Sequence, residues 1–244
     1  MANKFYEPGD QRAARVTDLF AQVAPRYDLI NDLQSFGLHR SWKKRLLLLG
    51  APQPGERVLD LCCGTGDIAL ASAARGAEVF GLDFSAPMLA IAQRRSGKII
   101  GPIGTRPVGW LQADAENLPF AADSFDLVTV GYGLRNLSSW ERGLAGMFRV
   151  AKPGGRLLVL DFGKPENRLW RGIYFLYLKS VVPLLGRIFC GDSQTHAYIL
   201  ESLKNYPAQK GIAEKMTSLG LEHIRTLNLW GGMMSINFGR KPGR

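Results

Sequence analysis

Three aspartates carry the most legible chemistry in this chain. They are Asp60 in "VLDLCCGTGDIAL" (58–70), Asp83 in "EVFGLD" (78–83) and Asp114 in "WLQADA" (110–115). Each closes a short apolar run suited to a buried strand, and Gly64, Thr65 and Gly66 follow the first. Glycines between a strand and a helix let backbone approach a ligand, and the helix start presents unpaired N–H groups. That turn alone is ambiguous, because dinucleotide-binding dehydrogenases use similar ones. The acids narrow it. A carboxylate at Asp60, on the carboxyl end of the first strand, suits a ligand carrying an ammonium and a sulfonium. Asp83, with Phe84 beside it, is placed to accept both hydroxyls of a ribose. Asp114 and the backbone N–H of Ala115 are placed to read an adenine edge. One strand-end aspartate is often only a turn former or a cap. Three at successive strand ends point to a nucleoside with a positively charged amino-acid tail. S-adenosyl-L-methionine fits, with Asp60, Gly64, Thr65, Gly66, Asp83, Phe84, Asp114, Ala115 and Gly131 as its candidate contacts.

Hydrophobic rhythm supplies the elements that must hold these residues. Strand-like runs near 57–61, 77–83, 108–113, 125–131 and 155–162 alternate with helical stretches at 66–75, 86–95 and 139–151. This is the pattern of a parallel sheet covered on both faces. Ser138 and Glu141 form a capping box for the third helix, and "KPGG" at 152–155 turns the chain into the fifth strand. Residues 163–205 then form an insertion too long to be bare loop. It contains "LWRGIYFLYLKSVVPLLGRIF", broken by Lys179, Pro183 and Arg187. A helix near 206–219 and strands near 221–229 and 232–239 follow, the last two close enough to pair antiparallel. The fold class is α/β: a doubly wound Rossmann-like sheet of seven strands with the last antiparallel. It forms a single domain with an N-terminal helical cap (1–50), a cofactor-binding half (51–162), a helical lid insertion (163–205) and a closing helix with antiparallel strands (206–244).

Composition bounds the setting. A chain of 244 residues, 46% hydrophobic and 21% charged, has room for one buried α/β core and is not disordered. It has no run of about 18 uncharged apolar residues, and "MANKFYEPGD" lacks the apolar centre of a secretory signal, so a cytoplasmic location is expected. Cys62, Cys63 and Cys190 have no metal-type spacing, and no metal is expected. Net charge is +10, and residues 164–244 hold twelve Lys/Arg against five Asp/Glu. Such an excess attracts phosphate, in nucleic acid or on an anionic membrane. The basic residues are scattered rather than striped with stacking aromatics, so no nucleic-acid partner is expected. Exocyclic-amine methylation wants an Asn-Pro-Pro-Tyr type sequence after the fourth strand; this chain has "GYGLRN". Three rivals stay open on residues alone: an RNA methyltransferase, a cofactor-binding scaffold without catalysis, and an NAD dehydrogenase, against which Asp60 speaks.

The stretches "LDLCCGTGD", "GLDFSAPML", "ADAENLPFAADSFDLVTVGYGLRN" and "MFRVAKPGGRLLVLDF" resemble the successive motifs of class I S-adenosylmethionine-dependent methyltransferases. "YDLINDLQSFGLHRSWK" at 27–43 and "GLRNL" at 133–137 narrow the resemblance to the ubiquinone/menaquinone biosynthesis C-methyltransferase family, from about residue 17 to 241. That resemblance implies methylation of a ring carbon on a polyprenylated quinol. In one branch demethylmenaquinol becomes menaquinol, the favoured reading; in the other the acceptor is a methoxy-benzoquinol of ubiquinone biosynthesis. By position the family's cofactor contacts fall on Thr65, Asp83, Asp114 and Ala115. The family often has glycine or alanine where this chain has Cys62 and Cys63.

Such a reaction sets demands on the site. Methyl transfer to carbon is an in-line displacement, so positioning supplies much of the catalysis. A phenol near pKa 10 also needs a base, or a cation for its developing oxyanion. Arg135, at the pocket mouth, is the candidate anchor for the phenolate, and Asn136 beside it is a candidate catalytic residue with it. Tyr27, which opens the N-terminal motif, is a candidate to orient the quinol or relay its proton. His39 is a further candidate, weighed against an ordinary structural histidine, and Asp28 against a helix cap. The insertion is expected to lid the site, lining a prenyl tail with its leucines and meeting anionic headgroups with its basic residues. Tail length and oligomeric state are not readable from the sequence.

Overall fold

The computed structural model describes residues 24–97, 107–184, 187 and 194–243. Most of the region preceding residue 27, and Cys190, therefore lie outside the described residues. Two helices lead in, α1 (Tyr27–Ser35) and α2 (Leu38–Gly50), joined by Phe36 and Gly37 in the left-handed conformation. The alternating core follows: β1 (Arg57–Leu61), α3 (Asp67–Ala73), β2 (Glu78–Asp83), α4 (Ala86–Ser96), β3 (Gly109–Gln112), β4 (Phe125–Gly131), α5 (Trp140–Val150) and β5 (Ala151–Phe162). The insertion supplies α6 (Arg168–Leu176), a wider π-helical turn (Tyr177–Val181) and α7 (Gln194–Asn205). The chain ends with α8 (Ala208–Ser218), β6 (Glu222–Leu229) and β7 (Met234–Arg240).

The seven strands lie in the order β3-β2-β1-β4-β5-β7-β6, with β7 antiparallel to both of its neighbours. Strand periodicity divides the core into two. Leu59, Leu61, Val128, Val130, Leu157 and Val159 face α5, α8 and the insertion. Val58, Leu127, Leu158 and Leu160 face Leu46 and Leu47 of α2 and the apolar side of α3. Alternate residues thus serve opposite faces, and both faces are covered. The expected seven-stranded Rossmann-like sheet is present, with its antiparallel last strand.

Two local expectations are corrected. Ser139, not Ser138, caps α5: its Oγ accepts the Arg142 N–H at 3.2 Å. The N–H groups of Ser138 and Ser139 both donate to Glu116 Oε1, so Ser138 is held outside the helix. Nor does "KPGG" stand between α5 and β5. Phe125 pairs with Ala151 and Leu127 with Arg156, so the segment bulges within the strand, with Gly154 at φ +75°. The insertion packs by Tyr174, Leu178, Val182, Ile199 and Leu203 against one core. Leu169, Ile173, Leu176 and Leu184 lie exposed, as does Trp230.

Candidate active site

The chain runs outward from β1 to β3 and then returns to β4, which makes the β1–β4 boundary the switch point where open sheets bind ligands. A cavity of about 240 Å³ opens there, across the carboxyl ends of β3, β2, β1 and β4. In sheet order its walls carry Asp114 and Ala115, then Asp83 and Phe84, then Cys62 and Gly64, then Gly131. Tyr27 and Asn136 also line it. Six of the nine candidate cofactor contacts, and two of the four candidate catalytic residues, therefore meet in one space.

Asp60, Thr65 and Gly66 lie behind that wall and build it. Asp60 is buried; its Oδ2 accepts the Ala69 N–H at 3.1 Å and its Oδ1 the Thr129 hydroxyl at 2.8 Å, tying β1 to α3 and β4. Burial pushes its carboxyl up to about 7, against the opposing bonds from Thr129 and Ala69. Thr65 donates its hydroxyl to Asp28 at 3.0 Å, so Asp28 fastens α1 to the turn rather than capping a helix. Gly66 sits at φ +87°, and a Cβ there would approach the Trp110 ring to 2.7 Å. Only glycine fits.

Asp83 organises the cavity floor: its Oδ2 accepts the Gly64 N–H at 2.7 Å and its Oδ1 the Ser85 N–H at 2.9 Å. Burial raises its carboxyl in spite of these bonds. Asp114 likewise accepts the Glu116 N–H and the Asn117 side chain. These positions fit a nucleoside with an amino-acid tail on two structural counts. Among the described residues a Cβ on Gly64 would meet only the Tyr27 ring, 3.8 Å away, so the glycine leaves bare backbone at the cavity wall. Beside Asp83, the buried Ser85 hydroxyl has no partner among the described residues, leaving a donor and acceptor for a ligand.

Arg135 is not among the wall residues. Its guanidinium lies inside the fold, with Nε 3.3 Å from Asp161 Oδ1, Nη1 donating to Ser202 of α7 at 2.6 Å and to Asn136 Oδ1 at 3.1 Å, and Cζ 4.7 Å from the Phe162 ring centroid. His39 lies further off, in a separate basic cleft of about 380 Å³ with Arg40, Lys43, Lys44, Arg75 and Arg95. Its Nε2 bonds Asp32 at 2.8 Å, yet burial outweighs that partner and lowers its pKa. Arg135 and His39 are thus not brought into the cavity directly.

Three residues that sequence reasoning passed over support this site, of which Tyr132 lines the cavity itself. Asp161 ends β5 just as the other acids end β1 to β3, and accepts the Arg135 and Phe162 N–H groups at 3.2 and 2.8 Å; the same strand-end rule would have found it. Tyr132 lines the cavity at φ +62°, a conformation rare for a bulky residue and typical of functional sites. Lys43 places Nζ 2.7 Å from Asp67 Oδ2 and 5.7 Å from the Tyr132 ring centroid. Its charge opposes the burial that raises the Tyr27 hydroxyl. Burial also works to raise Asp67, but Lys43 and Arg95 win and hold it down at about 2. Both lie in stretches that carry the family resemblance, but no residue-type signal singles out either Tyr132 or Lys43.

A family model described as the ubiE/COQ5 methyltransferase family matches residues 9–241. The chain belongs to that family. A ubiquinone/menaquinone biosynthesis C-methyltransferase of Stutzerimonas stutzeri is 39% identical over 96% of this chain and 92% of its own. A demethylmenaquinone methyltransferase of Desulfitobacterium hafniense is 40% identical over the same shares, 96% and 92%. Among solved structures, an S-adenosylmethionine-dependent methyltransferase of Thermotoga maritima, titled a possible histamine N-methyltransferase, has a TM-score of 0.64. It is 20% identical over 92% of this chain and 99% of that one, a likeness of fold. This ubiE/COQ5 family member is an S-adenosyl-L-methionine-dependent methyltransferase.

The buried Asp60 carboxyl makes stability depend on pH. Its folded pKa, about 7, lies above the unfolded value of about 3.9, so its stabilising contribution is complete below the latter and lost as pH rises through the former. Asp60→Asn removes the ionisation while keeping a shape able to bond Ala69 and Thr129. The melting temperature of the variant minus that of the parent is therefore expected to grow from pH 4 to pH 8. Thermal unfolding of both proteins across that range checks it, and a difference that shrinks with rising pH would contradict it.

Proposed function

We propose that the protein methylates a ring carbon of a polyprenylated quinol, converting demethylmenaquinol to menaquinol, while resting on an anionic membrane surface. The cavity across four strand ends carries the reading: cofactor-type acids occupy its β3–β2 side, and Tyr27, Tyr132 and Asn136 close its β4 side. Bound along those acids, S-adenosyl-L-methionine supplies an electrophilic methyl group on a sulfonium. The chain's own residues do the rest. Asp83, Ser85, Asp114 and the bare Gly64 backbone hold and orient the nucleoside. Asn136 stands at the wall with its Oδ1 on Arg135 and its Nδ2 on the Tyr132 carbonyl, so Arg135 acts on a phenolic oxygen through Asn136 and through its field. Arg135 is accordingly a positioning residue. Tyr27, kept protonated by burial, is placed to orient the ring hydroxyl.

Menaquinone is favoured over ubiquinone because both relatives' names include the menaquinone branch and one names it alone. Methoxy-benzoquinol methylation is the second reading, supported by the other name. No described helix is long and apolar enough to cross a membrane. The exposed stripe Leu169, Ile173, Leu176 and Leu184, bordered by Arg168, Lys179 and Arg187, supports shallow contact with lipid.

One assay tests both parts. Demethylmenaquinol in vesicles containing anionic lipid is expected to take radiolabelled methyl at low salt, with the protein co-floating, and both are expected to fall in ~1 M salt, where screening reaches about 3 Å. Methylation of the methoxy-benzoquinol instead would move the assignment to the ubiquinone branch. Turnover without flotation at low salt would remove the membrane contact.

A further inference from the structure

Beside the main cavity lies a small chamber of about 20 Å³, walled in part by Tyr27, Lys43, Asp60, Thr65, Asp67 and Tyr132. Tyr27, Cys62, Gly64, Gly131 and Tyr132 are walls of both spaces. Lys43 and Asp67 are walls of the chamber and of the basic cleft outside. A single layer of side chains therefore separates the chamber from the reaction space on one side and from the cleft on the other. Its volume is that of one water, which needs roughly 10–15 Å³ of such space and two to four polar partners. Asp60, Thr65, Asp67, Lys43 and the two tyrosines offer them. The Tyr132 hydroxyl is buried and bonds no group among the described residues, an arrangement that costs about 1–3 kcal/mol when water does not relieve it.

The quinol reading, on which this step rests, creates a transport problem. Each turnover forms one carbon–carbon bond, breaks one carbon–sulfur and one carbon–hydrogen bond, and turns a cationic sulfonium into a neutral thioether. One proton must leave per methyl transferred. Keeping bulk water from the reacting atoms leaves that proton in need of its own route.

We propose that the chamber is this route: the proton passes from the main cavity through the Tyr132 hydroxyl and one chamber water to the Lys43 nitrogen, which first gives its own proton through Asp67 to the cleft and is then reprotonated from the chamber. A hydroxyl can carry it by accepting a proton on its oxygen while releasing its own, with no net change of charge. Burial, the main cause, raises Tyr132 well above the ordinary tyrosine value, so the hydroxyl is restored after each transfer. Asp60, on the same wall, titrates at about 7 and can hold a proton in transit. The left-handed backbone of Tyr132 sets the ring between the two spaces, where Lys43 covers it.

The test compares parent, Tyr132→Phe and Lys43→Met on lipid extract from cells lacking this protein, with radiolabelled methyl donor in H2O and in D2O. Tyr132→Phe keeps the ring and removes only the relay. It is expected to lower kcat at least about tenfold and to raise the solvent isotope effect on kcat above the parent's. Cofactor Kd should stay within about twofold, and Tm should change little, because the hydroxyl bonds no described protein group. Lys43→Met, at the outer wall, should repeat the isotope signature. A Tyr132→Phe protein with parental kcat overturns the route, as does a slower one whose isotope effect equals the parent's. Extract that the parent leaves unmethylated rejects the quinol reading and this inference together.

Discussion

Arg135→Ala is expected to lose stability and turnover together while binding S-adenosyl-L-methionine nearly as well as the parent. Arg135 and Asp161 are 7% and 2% exposed, and the guanidinium also holds Ser202 on α7. Burial already pushes Asp161 up to about 6, with Arg135 the first of the influences opposing it. Removing the cation strands a buried carboxylate, for which losses of about 3–5 kcal/mol are typical. Protonation relieves part of that loss. The sign follows: a carboxyl whose folded pKa is raised further costs most where it must ionise, so the deficit should be larger at pH 8 than at pH 5. Turnover should fall about 10²–10³-fold, the scale of losing one preorganised electrostatic group, because Asn136 loses the donor on its Oδ1. Cofactor affinity is spared, since Asp83, Asp114 and the glycine turn lie on the other side of the cavity. Thermal melts at the two pH values, single-turnover methyl transfer and calorimetric titration separate the three effects. Equal losses in kcat and in cofactor affinity would remove Arg135 from its place beside the acceptor.

The contrast between Asp83 and Arg135 shows what the sequence could and could not reveal. A strand-end acid is placed by periodicity: once the strand is recognised, the carboxyl end of a parallel sheet is its address. Asp83 and Asp114 accordingly stand in the cavity wall, and Asp161 obeys the same rule. Asp60 obeys it too, but both of its oxygens turn to Thr129 and Ala69, binding β1 to β4 and α3 behind the wall. Arg135 has no such address. A long side chain in a loop can turn outward or inward, and the choice lay with an acid 26 residues away and a serine 67 residues away. The kink at Phe36 and Gly37 similarly lets Asp32 reach His39, which faces the basic cleft. Tyr132 was hidden for another reason: left-handed backbone is signalled by glycine or asparagine, and a tyrosine held there by its surroundings gives no warning. The insertion was legible as helical, but its pattern did not say which side would be buried, because leucines and aromatics occur on both.

The two small residues that press the cavity wall together lead to the last expectation. A Cβ on Gly133 would stand 2.2 Å from Cys62 Cβ and 2.7 Å from its sulfur, a contact that neither flexible rotation nor a small shift of one tip relieves. Cys62 follows β1 at φ +51° and Gly133 leads into the Leu134–Asn136 turn, so the clash would part the β1 and β4 sides of the cavity. Gly133→Ala is therefore expected to cost about 3 kcal/mol, the upper end for overpacking, and to weaken both cofactor binding and turnover. Removing the opposing side chain should undo much of this. Cys62 already holds a backbone angle that glycine takes freely, so Cys62→Gly alone leaves the turn intact. In the double variant Cys62→Gly/Gly133→Ala, stability and activity should both recover, with a coupling of about 1–3 kcal/mol in the cycle. Denaturant unfolding and methyl transfer on all four proteins measure it. Additive losses would mean that the wall yields elsewhere, and that the fit of Cys62 against Gly133 does not set the width of the site.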